Sequence, residues 1–302
     1  MLHRPVLINE TLDLLINRRN GVYFDGTCST GTFSIEILKR LDENGSLIAV
    51  DLDPYALEVA SSRLKEYHNI TIIQSNYAQV EKLLPPLAVE KLDGALLDLG
   101  VSSFALEDAR RGFSHRFQAP LDLRFNPKGE HPAAFQAIEI LSGDELASIL
   151  RQYGELTNST KLARAIKESS PRTTTELADI VAKFAPPAHR ERTLAKAFQA
   201  LRIYVNDELE NIKTFLEKSP KILAPGARLA ILTYHSLEDR IVKDFFRRES
   251  QDCICPPEFP VCACGHKAAF KILTPKPLKA SAQEIESNPR ARSARLRVAE
   301  KR

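Results

Sequence analysis

Four apolar runs near the start of the chain alternate with amphipathic segments, and this alternation limits the folds that are available. The runs are GVYFDGT (21–27), SLIAVDLD (46–53), NITIIQSN (69–76) and LDGALLDLG (92–100). They are apolar on both faces, as are strands of a parallel sheet that helices cover on both sides. Because such crossover connections are right-handed, we predict an α/β, doubly wound, Rossmann-like sheet.

The pattern changes after Val101. Residues 107–205 carry little strand signal, and helical patterns occupy 143–154, 159–170 and the segment that Thr173 and Glu176 open with a capping box. A strand at 228–234 and a helix from about residue 236 then resume the α/β pattern. We therefore predict a discontinuous sheet domain (1–106 and 210–302) with an all-helical insertion (107–209), and a last edge strand at 294–300.

Composition indicates where the protein works. Apolar residues make up 43% of the 302 residues, and the net charge is +3. No apolar run is long enough to span a bilayer, and the N-terminus lacks the apolar stretch of a signal peptide. We expect a soluble, cytoplasmic protein with no membrane partner. The basic residues of 288–302 form either a solvated end or a contact for a phosphate backbone.

Acidic residues follow three of the predicted strands, at the edge where doubly wound sheets bind ligands. Asp51 is placed to accept the hydroxyls of a ribose, whereas Asp53 precedes Pro54 and suits a helix N-cap. Asp98 is the best catalytic candidate, since a carboxylate there can accept a hydrogen from an amine that is being alkylated. The alternative is that Asp98 caps the loop that follows it.

The first strand–helix turn, DGTCSTGTFS (25–34), is not a G-x-G-x-x-G motif. Without that glycine triplet a pyrophosphate has no cradle, which disfavours a nicotinamide or flavin cofactor. A ligand without phosphates, such as S-adenosylmethionine, needs close backbone approach at only one or two glycines. Tyr77, after the third strand, either packs on an adenine ring or is a half-buried core tyrosine.

Residues 110–124 interleave arginines with phenylalanines, and we select Arg111, Phe113 and Arg124 as substrate-binding candidates. Arginines suit phosphates, and phenylalanines suit stacking on an unpaired base. The alternative is a packed, salt-bridged loop. His235, at the end of the 228–234 strand, is either a further substrate contact or a turn histidine.

Four of the five cysteines form one cluster near the C-terminus, Cys253, Cys255, Cys262 and Cys264. In a cytosolic chain such a cluster suggests metal or redox chemistry more than disulfides. Both pairs are C-x-C, however, whereas zinc knuckles use C-x-x-C. We therefore assign no metal from the sequence and keep the cluster as a weak zinc candidate beside a loop of reduced thiols.

The chain resembles the bacterial small-subunit ribosomal RNA cytosine-N4 methyltransferases of the MraW type. The matching pieces come in the family's order: HRPVLINET (3–11), LDGALLDLGVSS (92–103), RRGFSHRFQAPLDLR (110–124), LRQYGE (150–155), KAFQALRIYVNDEL (196–209), LAPGARLAILTYHSLEDRIVKDFF (223–246) and NPRARSARLRVAE (288–300). The resemblance implies a class I methyltransferase sheet with an inserted helical substrate domain. It also implies S-adenosylmethionine as donor and a cytosine in the decoding region as acceptor.

By matching position, the resemblance places the donor pocket at Gly31, Thr32, Phe33, Asp51, Tyr77 and Asp98. It implies small-subunit RNA or the 30S subunit as partner, and we include a homodimer among the expected assemblies.

The family's first loop reads D-x-T-x-G-x-G-G-H-S, and this chain departs from it at Ser29, Thr32 and Phe33. Ala105 replaces a glutamine of the family's S-S-x-Q-L, and Gln118 replaces the acid before A-P-L-D. Added side chains narrow the approach to a donor. The changes at Ser29, Thr32, Phe33 and Ala105 motivate an alternative from another class, a catalytically weakened RNA-binding or ribosome-assembly factor on the same scaffold.

Overall fold

The computed structural model describes residues 5–256, 258–259 and 261–302. His3 and Arg4, which belong to the first matching motif, lie outside them. The strands are β1 (Val22–Asp25), β2 (Ser46–Asp51), β3 (Ile70–Gln74), β4 (Leu92–Asp98), β5 (Leu223–Thr233), β6 (Phe270–Ile272) and β7 (Arg295–Lys301).

The helices begin with α1 (Ile8–Leu15), α2 (Thr32–Leu38), α3 (Pro54–Leu64) and α4 (Val80–Leu83). The middle of the chain forms α5 (Ser103–Glu107), α6 (Ala134–Ile140), α7 (Gly143–Gln152), α8 (Ser159–Ser169), α9 (Thr174–Phe184) and α10 (Arg190–Val205). The last three are α11 (Glu208–Ile222), α12 (Ser236–Glu249) and α13 (Ala282–Ser287). None of the helices in this part of the chain combines the length and the apolar character that crossing a bilayer requires.

All seven strands form one sheet in the order β3-β2-β1-β4-β5-β7-β6. The first five are mutually parallel, and β7 runs antiparallel to both of its neighbours. This arrangement confirms the predicted doubly wound, Rossmann-like class, with one reversed strand. The chain leaves β1 in one direction and returns to its other side at β4, so the crevice that such sheets use for ligands lies between β1 and β4.

The alternation of side chains along the strands explains why both faces are covered. Tyr23 and Leu96 pack into one apolar cluster, and their chain neighbours Phe24 and Leu97 pack into another on the opposite face. Successive residues of a strand point to opposite faces, so runs that are apolar throughout must be covered twice. The sequence interpretation of these strands as buried on both faces is confirmed for β1, β2 and β4. It is wrong for β3, which lies at the edge of the sheet and is half-buried or exposed along its length.

One C-terminal prediction is wrong. Residues 294–300 were expected to form an edge strand, but β7 lies between β5 and β6, and the short β6 takes the edge. Arg297 and Arg295 of β7 both donate to the Asp239 carboxylate, at 2.7 and 2.6 Å. These two arginines are therefore paired within the sheet unit, whereas Arg290 and Arg292 of the same stretch are exposed. For the exposed residues, a solvated end and a contact for a phosphate backbone both stay predictions.

The chain divides into two compact units, residues 1–100 with 209–302 and residues 101–208. The sequence-based boundaries were 106/107 and 209/210. The second unit contains the helices α5 to α10, and its core is built by the apolar faces of α6 to α10. The predicted capping box at α9 is present, with Glu176 N donating to Thr173 Oγ1 at 3.3 Å. The amphipathic residues 192–219 fall into two successive helices, α10 and α11.

Candidate active site

Three carboxylates lie at the carboxyl ends of neighbouring parallel strands. Asp25 ends β1, Asp51 ends β2 and Asp98 ends β4. Burial raises the pKa of Asp25 and of Asp51 to about 6, and that of Asp98 to about 7. A crevice edged by three such groups favours a cationic ligand, because a positive charge restores the interactions that each carboxylate lost with water.

Asp98 has the most perturbed pKa of the three. The phenol of Tyr234, the residue after β5, donates a 2.7 Å hydrogen bond to its Oδ1. This hydrogen bond lowers the pKa of Asp98, while burial and the negative charges of Asp25 and Glu238 raise it. The backbone N–H of Asp98 donates to Thr27 Oγ1 at 2.7 Å, which fixes the end of β4 against the first loop. The Asp98 carboxylate takes no part in this backbone contact and does not cap the loop. Its remaining lone pairs can therefore accept a hydrogen bond from a further donor.

Asp51 organises the first loop. Its Oδ2 accepts from the Ser29 N–H at 2.7 Å, and its Oδ1 accepts from the Asp53 N–H at 2.9 Å. Asp53 in turn caps α3, accepting from Tyr55 N at 3.0 Å, as the sequence predicted. A carboxylate that is held by two backbone donors keeps lone pairs free for the two hydroxyls of a ribose.

The altered loop residues do not all face the same way. The guanidinium of Arg63 donates to Thr32 Oγ1 at 3.1 Å, so this hydroxyl points towards α3. Phe33 is buried in the apolar cluster beneath the sheet. Gly31 has a φ of 80°, in the left-handed region that favours glycine, and a Cβ there would push Leu64 Cδ1, 2.8 Å away, so a larger residue would be strained at this position. Of the three loop residues that differ from the family's pattern, Thr32 therefore contacts α3 and Phe33 packs into the apolar core.

Ser29 is the third departure, and it lies where the family has glycine. Its φ is 47°, in the left-handed region. Asp25 lies below this turn and accepts from Ser34 Oγ at 2.7 Å and from Thr27 N at 3.1 Å. Ser29 therefore holds a left-handed backbone conformation that is strained for a residue with a Cβ.

Tyr77 is half-buried and meets Phe215 edge to face, with ring centroids 5.8 Å apart. His235 is the N-cap of α12, where its Nδ1 accepts from Glu238 N at 3.4 Å. The Glu238 carboxylate accepts from the N–H groups of Tyr234 and His235, which completes a capping box. The geometry at His235 is that of a turn histidine, and a substrate contact stays a prediction.

The three candidates in the second unit are engaged within that unit. Arg111 is buried, donates to the carbonyls of Arg124 and Phe125 at 3.1 and 2.9 Å, and lies over the Phe113 ring. Phe113 is buried and stacks on Phe125. The Arg124 side chain binds Asp122 through two hydrogen bonds of 2.7 and 2.8 Å. These contacts match the alternative of a packed, salt-bridged loop.

Other members of the same segment are exposed. Arg116 lies at the surface, and Phe117 beside it is 47% exposed. Ala105, by contrast, is buried in the core of the second unit. Sequence reasoning missed Tyr234, although its place at the carboxyl end of β5, directly before His235, was a signal that could have found it.

The donor set fits S-adenosylmethionine on this geometry. The first loop approaches α3 closely at Gly31 and offers no cradle for a pyrophosphate, and Asp51 offers oxygens suited to a ribose. Buried carboxylates suit a sulfonium cation.

Comparison with known proteins agrees with this geometry. A family model described as the MraW methylase family matches residues 1–302. A ribosomal RNA small subunit methyltransferase H from Caldicellulosiruptor bescii is 42% identical over 304 residues, covering 99% of each chain. A protein of the same name from Heliobacterium modesticaldum is 44% identical over 308 residues, covering 99% of this chain and 98% of the relative.

Among solved structures, a putative rRNA-methylase from Clostridium thermocellum covers all of both chains at 11% identity, with a TM-score of 0.46. The sequence matches alone confirm the resemblance that the motifs indicated.

Proposed function

The chain belongs to the MraW methylase family, and on that premise we propose that it methylates N4 of a cytosine in the decoding region of small-subunit ribosomal RNA. S-adenosylmethionine is the methyl donor of the family. The names of the relatives support a small-subunit RNA substrate. The observation that carries the proposal is Asp98, a carboxylate with a pKa of about 7 at the crevice between β1 and β4.

Asp51 would hold the ribose of the donor, and Gly31 and its neighbours Thr32 and Phe33 would shape the loop beneath it. Tyr77 would border the adenine. When bound, S-adenosylmethionine supplies an electrophilic methyl group on a sulfonium. This chain's part is to position the acceptor amine against that methyl and to exclude competing water.

Asp98 acts on the acceptor. The lone pair of an exocyclic cytosine amine is delocalised into the ring, so the amine is a poor nucleophile. An Asp98 oxygen that accepts one N4 hydrogen favours the tetrahedral nitrogen that attacks, and it can take up the proton released afterwards. A pKa near 7 suits both tasks, since the group is substantially ionised at neutral pH and still basic enough to hold a proton.

The second unit, residues 101–208, is proposed to hold the RNA around the target base. Phe117 and Arg116 are exposed, which suits stacking on a base and contact with a phosphate. A cavity of about 240 Å³ in the same unit is lined in part by His189, Arg192 and Lys196. Arg111, Phe113 and Arg124 would then support this surface from within, and His235 is kept as a proposed substrate contact.

The target base must leave its stack to reach the donor methyl, which an RNA loop or a partly assembled 30S subunit allows most easily. Ribosomal RNA as substrate implies a cytoplasmic site of action. A homodimer is part of the proposal and is tested by the molar mass in solution.

The test is mass spectrometry of nucleosides from small-subunit RNA incubated with purified protein and donor. We expect N4-methylcytidine with the wild-type chain and with Asp13→Asn, which neutralises an exposed carboxylate that pairs with Arg40. Asp98→Ala should still bind donor in calorimetry, though more weakly because one of the three carboxylates is gone, and at saturating donor it should lose about 100-fold or more of the methylation rate. Undiminished turnover in Asp98→Ala would remove Asp98 from the mechanism, and a different methylated nucleoside would overturn the N4 assignment.

The alternative of a non-catalytic assembly factor is not favoured. Two of the four altered positions that motivated it, Thr32 and Phe33, contact the scaffold, and Ala105 is part of the core of its own unit. Absence of donor binding at millimolar concentration in calorimetry would reinstate that alternative.

A further inference from the structure

The connection between α12 and β6 holds four cysteines that the proposed reaction does not use. They come as two C-x-C pairs, and their side chains are free thiols rather than disulfides. The sulfur atoms of all four lie within 4.8 Å of one another. The sequence left a zinc site and a loop of reduced thiols as alternatives, because neither pair has the usual zinc-knuckle spacing.

The separations between the sulfur atoms match a tetrahedron around a single ion. With Zn–S bonds of about 2.3 Å, ideal tetrahedral geometry places neighbouring sulfurs about 3.8 Å apart. Cys264 Sγ lies 3.8 Å from Cys253 Sγ and 3.6 Å from Cys262 Sγ. Thiolates on different irons of a multi-iron cluster lie farther apart than thiolates on one ion, so the mutual closeness of all four favours a single ion.

Backbone donors point at the sulfur atoms. The N–H of Ile254 donates to Cys264 Sγ at 3.5 Å, and that of Ala263 donates to Cys255 Sγ at 3.3 Å. The N–H of Cys255 donates to Cys253 Sγ at 3.4 Å. Four thiolates around a divalent ion carry a net negative charge, and such donors disperse it and orient the ligands.

Apolar packing does not account for the closeness of the thiols. Three apolar side chains of this connection, Ile254, Phe259 and Val261, are 44%, 57% and 75% exposed. The described residues between α12 and β6 form no helix or strand, so this connection needs another constraint to hold one conformation.

The ends of the connection are fixed, which leaves the cysteines as the constraint on its middle. Ala269 N donates to the Glu249 carbonyl at 2.8 Å, where α12 ends. His266 Nε2 lies 3.2 Å from the carbonyl of Arg248, so this imidazole is directed to the helix end and not to the sulfurs. After the last cysteine, Gly265 turns the chain with a φ of 62°.

We propose that the four thiolates bind one structural zinc ion, which closes the connection between α12 and β6. Four protein ligands leave no open coordination position, so the site stabilises the fold and takes no part in methyl transfer. Binding requires deprotonated thiols, so the ion displaces their protons to solvent.

The direct test is elemental analysis of full-length protein that is expressed with zinc in the medium and purified without chelators. We expect one equivalent of zinc per chain, and X-ray absorption at the zinc edge with four sulfur neighbours at about 2.3 Å. After exchange, cobalt(II) should show the d–d bands of a tetrahedral site and thiolate-to-metal charge transfer. Folded protein without stoichiometric metal, or with iron in place of zinc, would overturn the proposal.

Two variants test whether the cysteines are the ligands that hold the ion. The double variant Cys262→Ser/Cys264→Ser should lose the zinc, whereas Val261→Ser, a change at an exposed residue of the same connection, should keep it. A double variant that retains one equivalent would overturn the assignment of the ligands. If the double variant does not fold, the stoichiometry and the absorption spectrum of the wild-type chain still decide. Recovery of the four sulfurs as two disulfides under reducing purification would also refute the site.

Discussion

The phenol of Tyr234 donates a 2.7 Å hydrogen bond to Oδ1 of Asp98, and so joins the carboxyl ends of β5 and β4. The ionised carboxylate accepts from Tyr234 and, with its remaining lone pairs, from a substrate amine, and it forms stronger hydrogen bonds to both donors than the protonated acid would. The contact therefore favours the charged form of Asp98 against the burial that opposes it.

Removing the Tyr234 hydroxyl should shift the pH dependence of the reaction. In Tyr234→Phe the pKa of Asp98 rises above its value of about 7, because the hydrogen bond that offsets the effect of burial is lost. The acidic limb of kcat/KM for RNA should move to higher pH, with much of the loss at neutral pH recovered in alkaline buffer. The same change at Tyr67, which lies away from Asp98, is the control. An unshifted limb in Tyr234→Phe would argue against Asp98 as the titrating group.

The donor-free protein should become more stable as the pH is lowered towards about 5. Asp25, Asp51 and Asp98 have pKa values of about 6, 6 and 7 in the folded chain, against 3.8 for an ordinary aspartate. The folded state therefore binds more protons than the unfolded state in this window, so the free energy of unfolding falls as the pH rises.

Urea unfolding at several pH values between about 5 and 8 measures this slope. Carboxyls with lowered pKa values, such as Glu176, stay ionised in the folded chain throughout this range and do not obscure the effect. Asp98→Asn should flatten the slope, because it removes the highest of the three pKa values. Stability that rises with pH in the wild-type chain would contradict the burial of these carboxylates.

Ser29→Gly should relieve backbone strain without loss of the donor loop. The left-handed conformation costs a residue with a Cβ about 1–2 kcal/mol, and the Ser29 N–H that Asp51 accepts is kept in glycine. The matched control is Ser61→Gly at an exposed position inside α3, where glycine costs about 0.5 kcal/mol. Thermal unfolding should place Ser29→Gly above Ser61→Gly by about 1 kcal/mol or more. Equal destabilisation of both variants would refute the strain.

Asp239→Asn should destabilise the sheet unit strongly. Asp239 is 6% exposed and pairs with Arg297, which is 8% exposed, so the variant leaves a buried guanidinium without its counter-charge. We expect a loss of about 3 kcal/mol in the free energy of unfolding, measured by urea titration. Asp13→Asn breaks an exposed pair and should cost less than about 1 kcal/mol. If Asp239→Asn also lost less than about 1 kcal/mol in the free energy of unfolding, the Asp239–Arg297 pair would contribute little to stability.

The strands β1 to β5, the helices α7, α8, α9 and α12, the capping box at α9 and the acids at the strand ends followed from the sequence. These features depend on side chains within a few residues of one another, so periodicity and capping chemistry determine them locally. Asp53 illustrates this, since its cap on α3 needs only the Pro54 that follows it.

The tertiary structure alone decided where β7 pairs, which charges of a basic segment face inward, and which atoms meet across long stretches of chain. Arg297 and Phe117 each belong to a segment that reads as basic or aromatic surface, yet one is buried and the other is exposed. The Tyr234–Asp98 contact was equally beyond the sequence. Such contacts depend on chain closure and on the register of distant strands, and residue spacing along one segment carries no record of either.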